Sequence, residues 1–249
     1  MIRDTLGFRA KIGIVVPSTN TVVGPEMAAM QPIGVTNHLG RMMIPNMPIN
    51  SNADFSALAA ALAENQNAAL ESVMSCAPDH LILGLSYETF WSEPSEGQAV
   101  TDALCDKLGI GVSNASSAMV SCLQDFGLSR IAVLTPYKPI GDAQVRNFFE
   151  ASGFKVVEVK GLCGNSPSAP AQVTHADMAQ TLRDLARCGA DAIVQVGTNL
   201  PTAQLAQQAI DWLGIPFLAA NTVLYREALK QLGLLDDAAF CAEWMPMQR

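Results

Sequence analysis

The feature that most restricts the fold of this chain is an alternation of short apolar segments with longer helical ones, which runs through the sequence twice. Short aliphatic runs predict buried strands, and the longer segments between them carry helix start and stop signals. The predicted strands are 12–16, 35–43, 80–84, 110–113, 130–135, 155–160, 192–196 and 216–219. The predicted helices are 54–76, 96–108, 116–126, 140–152, 175–188, 202–213 and 222–232. Because strands alternate with helices, the pattern predicts an α/β fold with parallel sheets.

The second cycle of this pattern repeats local motifs of the first. The triplets 108–110 and 213–215 both read Leu-Gly-Ile, and each precedes a strand, a small polar cluster and a helix closed by Gly127 or Gly233. Equivalent positions stay about 106 residues apart. We therefore expect two similar α/β halves.

Composition and charge exclude several classes of function. The chain is 49% hydrophobic and 15% charged, which is enough apolar material for a full core. The formal net charge is -8 and no Lys/Arg run is present, so nucleic acid is not an expected partner. No apolar run approaches the roughly 18 residues of a membrane span. Backbone N–H groups can still hold a small anion, so a small carboxylate remains a possible ligand.

The six cysteines are scattered, without the spacing of a metal site or a redox pair. They are expected to be small buried side chains in a reducing compartment. Residues 1–11 contain no apolar core of a signal peptide. The expected location is therefore cytoplasmic.

Polar residues follow the strands at which a ligand would bind. In open parallel sheets, ligands bind beyond the carboxyl ends of the strands, and two facing halves would surround one pocket. The strand-end loops carry Pro17, Ser18, Thr19 and Asn20; Leu85, Ser86 and Tyr87; Pro136 and Tyr137; and Gly197, Thr198 and Asn199. Hydroxyl, amide and backbone donors there can hold a carboxylate. An ordinary capped turn at the first loop, and a packed aromatic at Tyr137, are equally open alternatives.

Two long loops, 44–52 and 161–174, occupy matching places in the two halves. Long loops in compact domains are often lids, although an inert surface loop is as good an interpretation for each one alone. Their matched positions favour a shared cleft.

Several segments resemble a known family. These are 12–21, His38 with Arg41 and Met42, 130–137 and 191–194. Over about residues 11–235 the sequence is similar to the Asp/Glu racemase superfamily, in its maleate isomerase and arylmalonate decarboxylase branch. The resemblance implies two pseudosymmetric Rossmann-like halves with the active site between them, no organic cofactor and no metal, and a homo-oligomer. We expect residues 1–115 with 222–249 to form the first half, and residues 116–221 the second.

The resemblance also implies roles for individual residues. Asn20 and Tyr137 would hold substrate carboxylates, while Ser86 and Tyr87 would match hydroxyl donors of the decarboxylase. The resemblance implies thiols at two strand-end loops: racemases of the superfamily use one in each half, the isomerases attack with the first, and the decarboxylases keep only the second. Here Leu85 stands at the first thiol position, and Gly197 or Thr198 at the second. Tyr137 and Thr198 are therefore the candidate catalytic residues, and the candidate substrate-binding residues are Pro17, Ser18, Asn20, Leu85, Ser86, Tyr87, Gly197 and Asn199.

The expected function is that of a cofactor-independent isomerase or carbon–carbon lyase. It would act on a small mono- or dicarboxylate through an enediolate-like intermediate, without the usual cysteine pair. Two alternatives remain open. One is a catalytically idle relative that binds a carboxylate, and the other is an enzyme of altered hydratase or hydrolase chemistry with Glu88 or His38 as base.

Overall fold

Two four-stranded parallel sheets form the framework of the computed structural model, which describes residues 4–49, 51–86, 90 and 94–247. The strands are β1 (Ala10–Pro17), β2 (Val35–Met42), β3 (His80–Leu83), β4 (Gly111–Asn114), β5 (Arg130–Thr135), β6 (Lys155–Gly161), β7 (Ala192–Gln195) and β8 (Phe217–Leu218). The helices of the described residues are α1 (Val23–Ala29), α2 (Asn52–Met74), α3 (Pro94–Leu108), α4 (Ala115–Asp125), α5 (Pro139–Ala151), α6 (His175–Ala186), α7 (Ala203–Leu213), α8 (Ala220–Gln231) and α9 (Asp237–Trp244). Two parallel sheets flanked by helices confirm the predicted fold class.

Both sheets have the same strand order. It is β2-β1-β3-β4 in the first half and β6-β5-β7-β8 in the second. In each half the chain leaves a central strand on one side and returns on its other side, so the strand order reverses between β1 and β3 and between β5 and β7. Such switch points open a crevice at the carboxyl ends of the strands. The loops after these four central strands therefore come to the crevice.

Strand register makes the two crevices equivalent residue by residue. Val15 pairs with Leu83 in the first sheet, and Leu134 pairs with Gln195 in the second. Two residues beyond each pair, Pro17 corresponds to Pro136 and Leu85 corresponds to Gly197.

Most helices lie within a few residues of their predicted bounds. Helix α2 begins earlier than predicted because Ser51 forms a capping box with Asp54, in which each side chain accepts from the other residue's backbone N–H. Helices α1 and α9 were not predicted. Gly24 and Pro25 interrupt the apolar pattern of α1. The start of this helix is stabilised by Asn20 Oδ1, which accepts from the N–H groups of residues 22 and 23, each at 3.0 Å.

A continuous core joins the halves. Buried side chains of β1, such as Ile14, belong to the same cluster as Val133 of β5 and Phe149 of α5. The ring of Phe90 lies 5.0 Å from that of Phe148 and 5.6 Å from that of Phe149, measured between centroids. This shared core fixes the strand-end loops of one half against those of the other.

In the part of the chain that the structure describes, no helix has the length and apolar character needed to span a lipid bilayer.

Candidate active site

A cavity of about 120 Å³ lies where the loops after β1, β3, β5 and β7 meet. Much of its wall is apolar. The apolar lining side chains are Pro17, Ile44, Ile49, Leu58, Leu85, Pro136, Pro167 and Pro170, and the polar ones are Thr19, Ser86, Tyr137, Lys138, Ser166, Thr198 and Asn199. A pocket of this kind, apolar with a few convergent polar groups, is typical of small-molecule sites.

The two halves contribute one hydroxyl each to a pair in this wall. Ser86 Oγ and the Tyr137 hydroxyl are 3.0 Å apart and hydrogen-bonded. The backbone N–H of Thr198 also donates to Ser86 Oγ, at 3.3 Å. Three predicted site residues from three loops thus converge on Ser86 Oγ, which fixes the Ser86–Tyr137 hydroxyl pair in the wall where a carboxylate or an enediolate would bind.

The Thr198 hydroxyl is engaged inside the protein. It donates to the carbonyl of Gly84 at 3.1 Å and accepts from Asn20 Nδ2 at 3.3 Å. Both contacts cross from one half to the other, and only 4% of Thr198 is exposed. Thr198 lines the cavity, but its side chain acts as a clamp between the halves.

Two predicted substrate-binding residues of the first loop face protein partners instead of the cavity. Asn20 caps α1 and bonds Thr198, while Ser18 Oγ accepts from the N–H of Ile44 at 3.0 Å. Arg41 Nη1 donates to the carbonyls of Ser18 and Asn20, at 3.1 and 3.0 Å. Neither Ser18 nor Asn20 lines the described cavity, so these side chains shape the loop that Pro17 and Thr19 present.

Asn199 joins three loops at the cavity rim. Its Oδ1 accepts from the N–H of Thr21 at 3.0 Å. Its Nδ2 donates to the carbonyls of Thr19 and Pro167, at 3.4 and 3.0 Å. The predicted role of Asn199 in the site is therefore combined with a structural one.

The two long loops meet over the cavity, as their matched positions suggest. The N–H of Ile49 donates to the carbonyl of Asn165 at 2.8 Å, and the N–H of Ser168 donates to Asn46 Oδ1 at 3.2 Å. Ile44, Ile49, Ser166 and Pro167 from these loops line the cavity.

No cysteine is among the described residues that line the cavity. Leu85, Gly197 and Thr198, the residues expected at the two thiol positions, all line it. Cys163, in the second long loop, is exposed and lies beside the site only through its backbone, whose N–H donates to the carbonyl of Tyr137 at 3.0 Å. Tyr87 and Glu88 lie outside the described residues. His38 does not line the cavity, and its Nε2 is bonded to Thr36 Oγ1 at 2.9 Å.

Lys138 was missed by the sequence analysis. It is the only charged side chain among the described lining residues, and its Nζ donates to the carbonyl of Ile49 at 2.6 Å. Its place next to Tyr137 in a strand-end loop was the available signal. A positively charged lysine in the wall of a cavity also favours binding of a small anion there.

A half-buried acid, Asp142, supports the Tyr137 loop. Burial raises the pKa of Asp142, while the hydrogen bond from the Thr135 hydroxyl opposes that shift. Thr135 Oγ1 in turn accepts from the N–H of Tyr137 at 3.0 Å. The backbone of Tyr137 is therefore held at both its N–H and its carbonyl.

Within the described ranges, no three His, Cys, Asp or Glu side chains come together as a metal site would require.

Known proteins resemble this chain over most of its length. A model of the arylmalonate decarboxylase family matches residues 12–241. The maleate isomerase of Nocardia farcinica (strain IFM 10152) is 27% identical over 239 residues, and the match covers 92% of this chain and 92% of that protein. A solved structure of the Nocardia farcinica enzyme, a cysteine-to-serine variant with a covalently bound succinylcysteine intermediate, superposes with a TM-score of 0.80 at 24% identity, covering 90% of this chain and 93% of that one. A structure of arylmalonate decarboxylase superposes with a TM-score of 0.69 at 16% identity, covering 90% and 92%. These relatives indicate an enzyme of the isomerase or decarboxylase type.

Proposed function

Because this chain belongs to the arylmalonate decarboxylase family, we propose that it is a cofactor-independent enzyme that converts a small carboxylate through an enediolate-like intermediate. The observation that carries this proposal is the Ser86–Tyr137 hydroxyl pair, supported by the N–H of Thr198, in the wall of a largely apolar cavity. Donors fixed in advance around a point of developing charge stabilise an enediolate more than they stabilise the starting acid.

The apolar part of the cavity favours decarboxylation. A carboxylate pressed against Ile44, Ile49 and Leu58 is poorly solvated, which raises its free energy relative to neutral carbon dioxide. The carbon–carbon bond to that carboxylate breaks, and its electron pair passes to the substrate carbon and the second carboxyl group. Carbon dioxide leaves, and the enediolate then takes up one proton at carbon.

Tyr137 is the proposed source of that proton, and solvent water returns a proton to the phenolate after the product has left. Its phenol lies at the cavity and is hydrogen-bonded to Ser86, whereas the hydrogen of the Thr198 hydroxyl is directed at Gly84. Thr198 then contributes its backbone N–H, which donates to Ser86, and the side-chain hydrogen bonds that join the two halves. Pro17, Leu85, Gly197 and Asn199 form the surrounding wall and rim.

Isomerisation is the second reaction that family membership allows. The Nocardia farcinica relative carries a succinylcysteine intermediate. Here a leucine stands at the first thiol position and no described lining residue is a cysteine. A serine or threonine hydroxyl without an adjacent base is a much weaker nucleophile than a thiolate, so these observations favour decarboxylation over covalent isomerisation.

The test is turnover by the purified protein with phenylmalonate, methylmalonate, maleate and aspartate, in deuterated buffer and with or without iodoacetamide. We expect decarboxylation of a malonate with one deuteron incorporated, unaffected by alkylation. Tyr137→Phe should lower kcat by about 10²–10³-fold, as the loss of one oxyanion donor does elsewhere. Turnover that iodoacetamide abolishes would contradict the thiol-free mechanism.

A carboxylate-binding protein without activity is the alternative that the engaged Thr198 hydroxyl and the absence of a thiol among the described lining residues would favour. Malonate that raises the Tm but is never converted would establish it.

Family membership also supports three further proposals: a homo-oligomer, a cytoplasmic location, and two halves with a boundary at residues 115–116 and 221–222. Light scattering on the purified protein tests the first.

A further inference from the structure

We propose that Glu26 and Asn221 are positioning residues that hold the Thr198 loop so that its N–H and the Ser86–Tyr137 hydroxyls face one point. This inference rests on the proposed function, because it concerns the same donors. Neither residue lines the described cavity, and neither stands out in the sequence.

Glu26 belongs to α1 in the first half, and its side chain reaches into the second half. Its Oε1 accepts from the N–H groups of Thr202 and Ala203, both at 2.8 Å, at the start of α7. Thr202 makes no side-chain cap of its own, so the carboxylate of Glu26 caps α7 from the other half. The positive end of the helix dipole favours an anion at this place.

Asn221 connects that carboxylate to the site. Its Nδ2 donates to Glu26 Oε2 at 2.6 Å and to the carbonyl of Thr198 at 2.9 Å. The N–H of Thr198 donates in turn to Ser86 Oγ, which is bonded to Tyr137. A continuous series of hydrogen bonds thus runs from α1 to the phenol of Tyr137.

The hydrogen bonds around Glu26 fit a carboxylate. Three hydrogens point at the two oxygens of Glu26, and both hydrogens of the Asn221 amide have acceptors. Burial raises the pKa of Glu26, and the hydrogen bonds from Asn221, Ala203 and Thr202 oppose that shift. Only 1% of Asn221 is exposed, so water cannot reach its amide to replace a lost hydrogen-bond partner.

The decisive variant is Glu26→Gln. The new amide can keep one oxygen on the N–H groups of α7, but its NH₂ then faces the NH₂ of Asn221, so the contact becomes repulsive. We expect kcat to fall about tenfold while KM changes less than twofold, because the donors act mainly in the transition state. The Tm should fall by about 5 °C. Glu71→Gln, on the exposed face of α2, is the matched control and should change neither value.

A double variant separates positioning from simple stabilisation. In Glu26→Gln with Asn221→Asp, the new carboxylate accepts from the new amide, so the bond between positions 26 and 221 is restored. The carboxylate has no hydrogen for the carbonyl of Thr198, so that link stays broken. We expect kcat to stay low and the Tm to recover only in part, because the carboxylate at position 221 is buried against the Thr198 carbonyl. Recovery of kcat together with the Tm, or a kcat of Glu26→Gln within twofold of wild type, would overturn the proposal.

Amide hydrogen exchange distinguishes this proposal from the proposed function. Glu26→Gln should accelerate exchange in residues 196–203 more than in β5, whether or not any substrate is converted. If the wild type converts none of the carboxylates, the proposed function fails, and unchanged exchange in residues 196–203 would overturn the positioning role separately.

Discussion

Gly197 and Pro136 are in such close contact that a Cβ atom on residue 197 would lie 2.6 Å from Pro136 Cγ and 2.7 Å from Pro136 Cδ. Gly197 also has a φ of +106°, which side-chain-bearing residues rarely adopt. By strand register, Gly197 is the counterpart of Leu85 in the first half. The loop here is therefore built for a residue without a side chain, and a cysteine could be accommodated only after the backbone or Pro136 had moved.

The first prediction concerns this contact. We expect Gly197→Ala to lower the free energy of unfolding by about 3 kcal/mol, since backbone strain and overpacking both oppose the methyl group. Urea denaturation measures the loss. Gly214→Ala is the matched control: Gly214 has a φ of +74° but no atom within 4 Å of the added Cβ, so about 1 kcal/mol is expected. Equal losses in the two variants would show that Pro136 is not responsible.

The second prediction concerns the Thr198 clamp. Thr198→Val keeps the shape of the side chain but removes the partner of Asn20 Nδ2 and of the Gly84 carbonyl. A loss of about 2 kcal/mol is expected, because two buried polar groups are left without their bond. Thr198→Ser retains the hydroxyl and should cost less than half as much. If the serine variant is as unstable as the valine variant, the methyl group rather than the hydroxyl matters.

Much of the framework was predictable because it follows from local patterns. The strand predicted at 130–135 matches β5, and aliphatic runs with glycine stops located the other strands. Helix α1 was not predicted because Gly24 and Pro25, which are poor helix formers, break its apolar pattern. Its seven residues are stabilised by the cap from Asn20 and by burial of Val23 and Met27, which no local pattern reveals.

The candidate site was predictable in its loops but not in its contacts. Strand-end position indicated Ser86, Tyr137 and Thr198, and the structure brings all three together. Whether a side chain in such a loop faces the cavity or a neighbouring backbone depends on how the halves dock. Ser18 and Asn20 face protein for that reason. Glu26 was missed because a lone glutamate after a Gly-Pro pair looks like a solvated surface residue.

The third prediction is a pH dependence of stability from His80. Burial lowers the pKa of His80 to about 4, and the imidazole is bonded to Ser113 Oγ at 2.8 Å. The unfolded chain takes up this proton near pH 6.5, whereas the folded chain stays neutral until about pH 4. The stabilisation from neutral His80 is therefore fully present above pH 6.5. It is lost as the pH falls toward 4, and the loss amounts to about 3 kcal/mol.

Urea denaturation at pH 7.5 and at pH 4.5 measures this dependence. Because carboxylates also titrate in that range, the informative quantity is the difference between wild type and His80→Gln. The variant should be less stable at pH 7.5 but should lose less of its stability on acidification. An equal loss in both proteins would mean that His80 is not the group responsible.

The fourth prediction concerns the anchor of the C-terminal helix. Arg226 of α8 is almost fully buried and bonds Asp125 at 2.9 Å and Asp237, at the start of α9, at 2.7 Å. Its guanidinium carbon lies 5.1 Å from the centre of the Phe126 ring. Burial opposes the charged form of Arg226, but the hydrogen bonds that it donates to the two aspartates outweigh burial and raise its pKa.

Arg226→Ala should therefore cost about 2 kcal/mol, because it removes a buried side chain and its ion pairs with two exposed aspartates, which tie α8 to α9. Arg183→Ala is the matched control, since exposed Arg183 lies over Trp212 at 5.3 Å and has no ion pair in the described part of the chain. It should cost less than about 1 kcal/mol. Amide exchange should rise throughout Asp237–Trp244 in the first variant only. Protection of that helix in Arg226→Ala would show that packing of Phe240, not the ion pairs, holds α9 in place.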